Sequence, residues 1–245
     1  MFTKFQLAKK YLHYYLTASN GKGHGIHSPF VFDFVKNVLN DNTSYPAYQP
    51  IEQKRKALLN NSAVIDVEDF GAGSSVIKTN KRIVSAIAAS SLKPKKYAQL
   101  LYRMIQYYKP DTVVELGTSF GITTAYLASA NKASKVFTCE GSGAIASIAK
   151  QNFETLQLNN VQLTEGDFAK TLSPLLSDLK EINFAFVDGN HRKAPTLEYC
   201  NRLLSYSNTA TILVFDDIHW SSEMEEAWEA IKQHPAVTLT IDLFF

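Results

Sequence analysis

Apolar and polar positions along the later part of the chain alternate between two periods. Nearly continuous apolar runs, typical of strands buried on both faces, recur from residue 112 onward. Stretches with helical spacing separate them, among them ITTAYLASANK, TLEYCNRLLSY and SEMEEAWEAIKQH. The strand-like runs span 112–117, 135–141, 160–167, 182–190, 209–217 and 237–245. This alternation predicts an α/β fold with a mostly parallel sheet covered by helices on both faces.

The first 95 residues follow a different pattern. Helical pieces such as FVFDFVKNVL and EQKRKALLN are broken by the loop-like stretches SNGKGHGIHSP and NDNTSYPAYQP. We interpret residues 1–95 as an N-terminal helical cap with substrate or oligomer contacts, and residues 96–245 as the main domain. Within the cap, we interpret DFGAGS as a turn, with an active-site lid as the alternative.

The N-terminal stretch MFTKFQLAKKYLHYYL predicts a helix with several large apolar side chains on one side. Packing on its own protein or on a partner subunit, as in a homodimer through the cap, is favoured over contact with a membrane surface. The stretch lacks the apolar core and cleavage site of a signal peptide. No run approaches the ~20 apolar residues of a membrane span.

Composition narrows the class of protein further. The 245 residues are 45% hydrophobic and 20% charged, which is ordinary for a globular chain. A net charge of +2 is too balanced to indicate a nucleic-acid surface. Cys139 and Cys200 are the only cysteines and suggest no disulfide framework, so a cytoplasmic protein is expected.

The stretch VVELGTSFGITTAYLA has the features of a cofactor loop. An apolar strand ends in Glu115, and Gly117 and Gly121 follow before a helix. In open α/β sheets a ligand binds at such a turn, where glycine lets the backbone come close. Glu140 ends the next strand, 25 residues after Glu115, where an acid can accept the ribose hydroxyls of a nucleoside. These features together predict a nucleoside cofactor.

Two comparisons within the sequence sharpen this prediction. The earlier glycine loop, IDVEDFGAGSS, is followed at the corresponding distance by ASSLKPK, which has no acid. The later loop has Ser119 and Ile122 where a dinucleotide fingerprint has glycines. This departure weakens NAD or FAD as the ligand and suits a nucleoside with an amino-acid tail.

Three aspartates follow two later strands. Asp188 ends one strand, and Asp216 and Asp217 end the next. If these strands are neighbours, the carboxylates meet at one edge of the sheet, and hard oxygen ligands suit Mg²⁺. The alternative is structural: Asp217 caps the following helix and Asp188 begins a turn.

Taken together, ELGTSFGITTAYLA, FVDGNH and ILVFDDIHW resemble motifs of class I S-adenosylmethionine-dependent methyltransferases. The similarity covers residues 96–245 and lies with the catechol O-methyltransferase-like enzymes and the macrocin-type sugar O-methyltransferases. It implies a Rossmann-like sheet, S-adenosylmethionine (SAM) as cofactor and Mg²⁺ as metal. The implied cofactor-binding residues are Glu115, Gly117, Thr118, Ser119, Gly121, Glu140, Gly141, Asp167, Phe168 and Asp188.

The same resemblance implies Asp188, Asp216 and Asp217 as metal ligands, and His191 with Asp188 as the catalytic pair. His191 would be the general base; a structural hydrogen bond is the alternative. His219 is interpreted as structural, and Trp220 as either a pocket wall or core.

His24 and His27 lack zinc partners at metal spacing and are interpreted as part of a loop. The cap has no counterpart in the family, and the seventh strand of its sheet is not evident in the chain.

The expected function is therefore Mg²⁺-dependent O-methylation of a small hydroxylated molecule, without nucleic acid. Three alternatives stay open: a metal-independent methyltransferase that uses His191, a catalytically silent cofactor-binding domain, and an oxidoreductase.

Overall fold

The computed structural model describes residues 1–18, 28–67 and 80–244. His24, His27 and the stretch DFGAGS lie outside these residues, so their interpretations remain predictions.

The described residues form ten α-helices, a π-helical turn and seven strands. The helices are α1 (Lys4–Thr17), α2 (Pro29–Phe34), α3 (Tyr48–Leu59), α4 (Val84–Ser91), α5 (Lys95–Tyr108), α6 (Ile122–Ala130), α7 (Gly143–Thr155), α8 (Phe168–Leu179), α9 (Lys193–Leu204) and α10 (Ser222–Lys232). The π-helical turn covers Val35–Leu39. The strands are β1 (Val64–Asp66), β2 (Lys81–Ile83), β3 (Thr112–Leu116), β4 (Lys135–Glu140), β5 (Val161–Glu165), β6 (Ile182–Val187) and β7 (Ser207–Phe215).

The main sheet has five parallel strands in the order β5-β4-β3-β6-β7. β1 and β2 form a separate antiparallel pair. The order reverses at β3, which pairs with β4 on one side and with β6 on the other. This reversal opens a crevice at the carboxyl ends of the strands, where ligands of such sheets bind. The predicted parallel α/β sheet is confirmed.

Successive side chains of the central strands point to opposite faces, and both faces are covered. Val113 and Phe184 belong to one core cluster, whereas Val114 and Ala185 belong to another. All four are fully buried. The absence of a polar face explains why these strands read as continuous apolar runs.

Helices of the first 95 residues share a core with the helices that follow. Ile51 of α3 and Ile87 of α4 are buried in the same cluster as Ile105 of α5 and Leu127 of α6. Helix α5 begins at Lys95, and the predicted division into residues 1–95 and 96–245 stays a prediction. The cap is thus packed directly on the helices that cover one face of the sheet.

Helix α1 lies over the C-terminal part of the chain. Lys10 forms an ion pair with Glu225 of α10 at 2.8 Å, and the Tyr14 hydroxyl donates to the Asp242 carbonyl at 3.0 Å. Phe5 and Leu16 remain 81% and 73% exposed. One side of the helix therefore packs on its own chain and another presents apolar side chains. None of the described helices is long and apolar enough to cross a membrane.

The strand predicted over residues 237–245 is wrong for the described part of that segment. Residues 237–244 form no strand, and β7 pairs with β6 alone among the described strands. Residues of β7 and of 236–244 both line a cavity of about 1240 Å³. Side chains hold the segment instead, with Ile241 and Leu243 packed against the core.

Candidate active site

The turn from β3 into α6 has the backbone geometry of a cofactor loop. Gly117, Ser119 and Gly121 all have positive φ angles, of 106°, 47° and 77°. A Cβ on Gly117 would lie 2.0 Å from the carbonyl oxygen of Asp188, so only glycine fits between the ends of β3 and β6. The loop is therefore built around a close approach of two strand ends.

Glu140, at the end of β4, is tied to this loop. Its carboxylate accepts the backbone N–H of Ser119 at 2.9 Å and that of Ser142 at 3.0 Å. Burial raises the pKa of Glu140, and the N–H groups of Ser142 and Ser119 hold it down in part. An ionised carboxylate has about four acceptor positions, so room remains for hydroxyl donors of a ligand. Gly141, which follows, is partly exposed beside it.

Glu115 and Thr118 lie beneath the loop. Glu115 is fully buried and accepts the hydroxyl protons of Thr124 at 2.5 Å and Thr138 at 2.6 Å. Thr118 is buried as well and shares a hydrogen bond of 2.5 Å with Thr138. Burial raises the pKa of Glu115 to about 8. In this structure the two side chains support the loop from below; contact with a cofactor stays a prediction for them.

Asp167 and Phe168 border the site on the β5 side. Asp167 is the N-cap of α8, where its side chain accepts the N–H of Ala169 at 3.0 Å. Phe168 packs so closely on Gly189 that a Cβ there would lie 2.8 Å from its ring. Both side chains are partly exposed.

The predicted aspartates converge at the ends of β6 and β7. The N–H of Asp188 donates to Leu116 at 2.8 Å, and that of Asp216 donates to Val187 at 3.0 Å. Burial raises the pKa of Asp188, and the neighbouring Lys93, followed by His191, opposes this rise. Asp217 is different, since its side chain is 41% exposed.

Left-handed backbone recurs in the three loops that meet here. Besides Ser119, Asn190 and Asp217 have φ angles of 55° and 54°. Asparagine and aspartate tolerate this conformation better than most residues. Such positions cost roughly 1–3 kcal/mol each and are common at functional sites.

Lys93, which the sequence did not single out, lies between Asp188 and Asp216. Its Nζ forms an ion pair with Asp216 and is 3.5 Å from Asp188 Oδ2. The only signal in the sequence was a lysine before a proline in the connection between two helices. Within the described residues, no group of three His, Cys, Asp or Glu side chains could hold a metal ion.

His191 lies on the exposed side of this cluster. Its Nε2 is 3.7 Å from Asp188 Oδ1 and 3.7 Å from Asp217 Oδ2, just beyond hydrogen-bond distance. The side chain is 24% exposed, and the Trp220 ring lies 5.8 Å away, on the rim of the site. The imidazole is thus positioned between two carboxylates and open to a ligand.

His219 faces away from the cluster, in agreement with a structural role. Its ring nitrogens lie 2.9 Å from Asp242 and 3.3 Å from Glu225. Burial lowers the pKa of His219, but Asp242 and then Glu225 raise it above its usual value. Through these two contacts, His219 connects the C-terminal segment to α10.

Comparisons with known proteins agree with this geometry. A family model described as a methyltransferase domain matches residues 114–218, which include every strand end of the site. This part of the chain is therefore similar to a methyltransferase domain, in agreement with the predicted SAM-dependent methyltransferase. No curated protein is similar enough in sequence to count as a relative.

Solved structures share the fold at low sequence identity. The chain resembles the methyltransferase PaMTH1 of Podospora anserina, bound to S-adenosylhomocysteine (SAH), with a TM-score of 0.59 and 12% identity over 96% of this chain and 90% of that one. It also resembles an O-methyltransferase of Bacillus cereus in complex with SAH, with a TM-score of 0.55 and 19% identity over 83% and 85% of the two chains. The Rossmann-like class I methyltransferase fold is confirmed.

Proposed function

We propose that the protein transfers the methyl group of SAM to a hydroxyl oxygen of a small molecule. The observation that carries this proposal is the position of His191, which is open to a ligand and lies 3.7 Å from two carboxylates beside the cofactor loop. The O-methyltransferase of Bacillus cereus has the same fold, which supports oxygen as the acceptor atom.

The residues present fit the cofactor. The loop at Gly117 and Ser119 would hold its amino-acid part, and Glu140 its ribose hydroxyls, for which the carboxylate has acceptor positions to spare. The buried Ser142 hydroxyl, which has no hydrogen-bond partner among the described residues, adds a polar group beside Glu140. When bound, the cofactor supplies an electrophilic methyl carbon on a sulfonium.

His191 would act as the general base. The acceptor hydroxyl would give its proton to Nε2 of His191, and SAM would supply the methyl group and leave as SAH. The carboxylates of Asp188 and Asp217 would orient the imidazole and stabilise its protonated form. Because the reaction is an in-line displacement, positioning contributes much of the rate.

Mg²⁺ does not fit the described residues as they stand. The predicted ligands Asp188 and Asp216 face the ammonium group of Lys93, which lies where a divalent ion would be shared between them. Asp217 points instead toward His191. The proposed reaction is therefore the metal-independent form.

The proposal is tested by SAM turnover without divalent ions. The protein is incubated with SAM, EDTA and a panel of catechols, phenols and sugars, and SAH and methylated products are measured by mass spectrometry. Methyl ethers that form in EDTA support the proposal. SAM binding without any product would favour the silent domain, whereas calorimetric binding of NAD but not SAM would favour an oxidoreductase.

For assembly we propose a homodimer through α1. Phe5, Leu12 and Leu16 lie on one side of this helix and are 81%, 58% and 73% exposed. Burying such a patch against a second copy would remove apolar surface from water. Sedimentation of the wild-type protein and of Phe5→Ser/Leu16→Ser tests this; a wild-type monomer contradicts it.

A further inference from the structure

The connection between α4 and α5 carries one charged side chain into the active site. Lys93 lies in this short connection, and only 12% of its side chain is exposed. Its Nζ contacts Asp216, lies 3.5 Å from Asp188 and is 5.9 Å from the centre of the Phe186 ring. A residue of the cap region therefore enters the active site at the ends of β6 and β7.

The backbone of Lys93 is held by Arg55, which is itself held by Glu52. Arg55 of α3 donates to the Lys93 carbonyl at 2.7 Å and to Glu52 at 2.9 Å. The Tyr126 hydroxyl of α6 donates to Glu52 at 2.7 Å. Pro94 restricts the preceding residue to extended backbone. Because these contacts join the cap to α6, the backbone of Lys93 is fixed in position.

The positive charge of Lys93 compensates the negative charge of the two aspartates. Asp216 is 6% exposed, and a buried carboxylate is strongly unfavourable unless a cation compensates it. The ammonium group forms an ion pair with Oδ2 of Asp216 and lies 3.5 Å from Oδ2 of Asp188. Its fixed positive charge would also repel a divalent ion at this position.

We propose that Lys93 is the resident cation of this active site and takes the place of a divalent metal between Asp188 and Asp216. The inference builds on the proposed methyl transfer and deepens it: Lys93 is a positioning residue that neutralises Asp188 and Asp216 and leaves Asp217 to pair with His191. An ammonium group cannot chelate two adjacent oxygens as a metal does. The acceptor is therefore expected to be bound through a single hydroxyl, with no preference for catechols over simple phenols.

The test measures Mn²⁺ binding by electron paramagnetic resonance, which requires neither SAM nor an acceptor. The wild-type protein is expected to show no specific site at millimolar Mn²⁺. Lys93→Ala frees the two carboxylates and should gain one site, at least tenfold tighter than any wild-type binding. Lys93→Arg should gain none, and Lys93→Ala/Asp216→Asn should lose the gained site. Lys93→Met replaces Lys93→Ala if the latter does not fold, and Lys95→Ala is the matched surface control.

A second readout separates charge replacement from a merely structural ion pair. In EDTA, Lys93→Ala should lose methyl transfer, and added Mg²⁺ should restore at least part of it, whereas the wild-type rate should not respond to Mg²⁺. The inference is overturned if the wild-type protein binds Mn²⁺ as tightly as Lys93→Ala does. It is also overturned if neither Lys93→Ala nor Lys93→Met gains a Mn²⁺ site. Calorimetric binding of SAM reports on the proposed function separately: without SAM binding that function fails, while the Mn²⁺ result still decides the role of Lys93.

Discussion

The two halves of the sheet edge differ in the groups that contact their acidic side chains. At the ends of β3 and β4, the buried acids Glu115 and Glu140 accept hydrogen bonds from hydroxyl and N–H groups of neighbouring residues. At the ends of β6 and β7, Asp188 and Asp216 face the ammonium group of Lys93, which comes from the first part of the chain. The first half is neutral apart from its own acids, and the second is a cluster of opposite charges.

The difference shows what each half is suited to do. Hydrogen bonds from a fixed backbone shape a pocket for a neutral or zwitterionic ligand, and they change little with salt. A cluster with Lys93, His191 and three carboxylates can hold and move a proton. Breaking either half should therefore have separable effects on cofactor binding and on turnover.

The largest effect is expected from His191→Gln in the charged half. The variant cannot accept the acceptor's proton, so SAH formation should fall roughly 1,000-fold, while the calorimetric affinity for SAM stays unchanged. His13→Gln, on the exposed surface of α1, is the control. Full activity in His191→Gln would assign the histidine a structural role.

A second effect concerns Glu115 in the neutral half. The folded-state pKa of about 8 lies above the ordinary 4.5, so between these values the folded protein holds a proton that the unfolded chain has lost. Stability should then fall as pH rises through this window, by about 1.4 kcal/mol per pH unit. Glu115→Gln should remove this dependence, as measured by urea unfolding at pH 5.5 and 7.5. The exposed Glu154→Gln should keep it, and identical slopes in all three proteins would refute the assignment.

Gly117 lies where the two halves of the sheet edge meet, against the backbone of Asp188. An alanine there would need a positive φ and would press on the Asp188 carbonyl, so Gly117→Ala should lower the unfolding free energy by about 3 kcal/mol. Gly143→Ala is a matched control, since its Cβ would meet only Glu165 at 3.5 Å. Thermal unfolding followed by circular dichroism compares the two. Equal stability would mean that the strand ends can separate freely.

The smallest effect is expected from Glu140→Gln. The amide group would place its own N–H groups against those of Ser119 and Ser142 and weaken the ribose contact, so SAM affinity should fall about tenfold. Glu165→Gln is the control, because Glu165 pairs with Glu140 in register on β5 but is exposed. Unchanged affinity in Glu140→Gln would place the ribose elsewhere.

Local pattern was sufficient for much of the fold. The buried strands β3 and β6 and their parallel pairing follow from continuous apolar runs between helices. Residues 237–244 show the limit of this approach, because an alternating apolar run forms a strand only where a partner ladder lies within reach.

For this protein, the sequence by itself determined the α/β class, the glycine turn, and the proximity of Glu140 to that turn, because each depends on neighbouring residues or adjacent strands. It also placed Asp188 and Asp216 at one edge. Only the tertiary structure decided what neutralises them: Lys93 is distant in the chain, and no local rule selects which lysine reaches a buried carboxylate. That choice depends on how Arg55 of α3 holds the Lys93 backbone and how Tyr126 of α6 contacts Glu52 beside it, which is a property of packing rather than of sequence pattern.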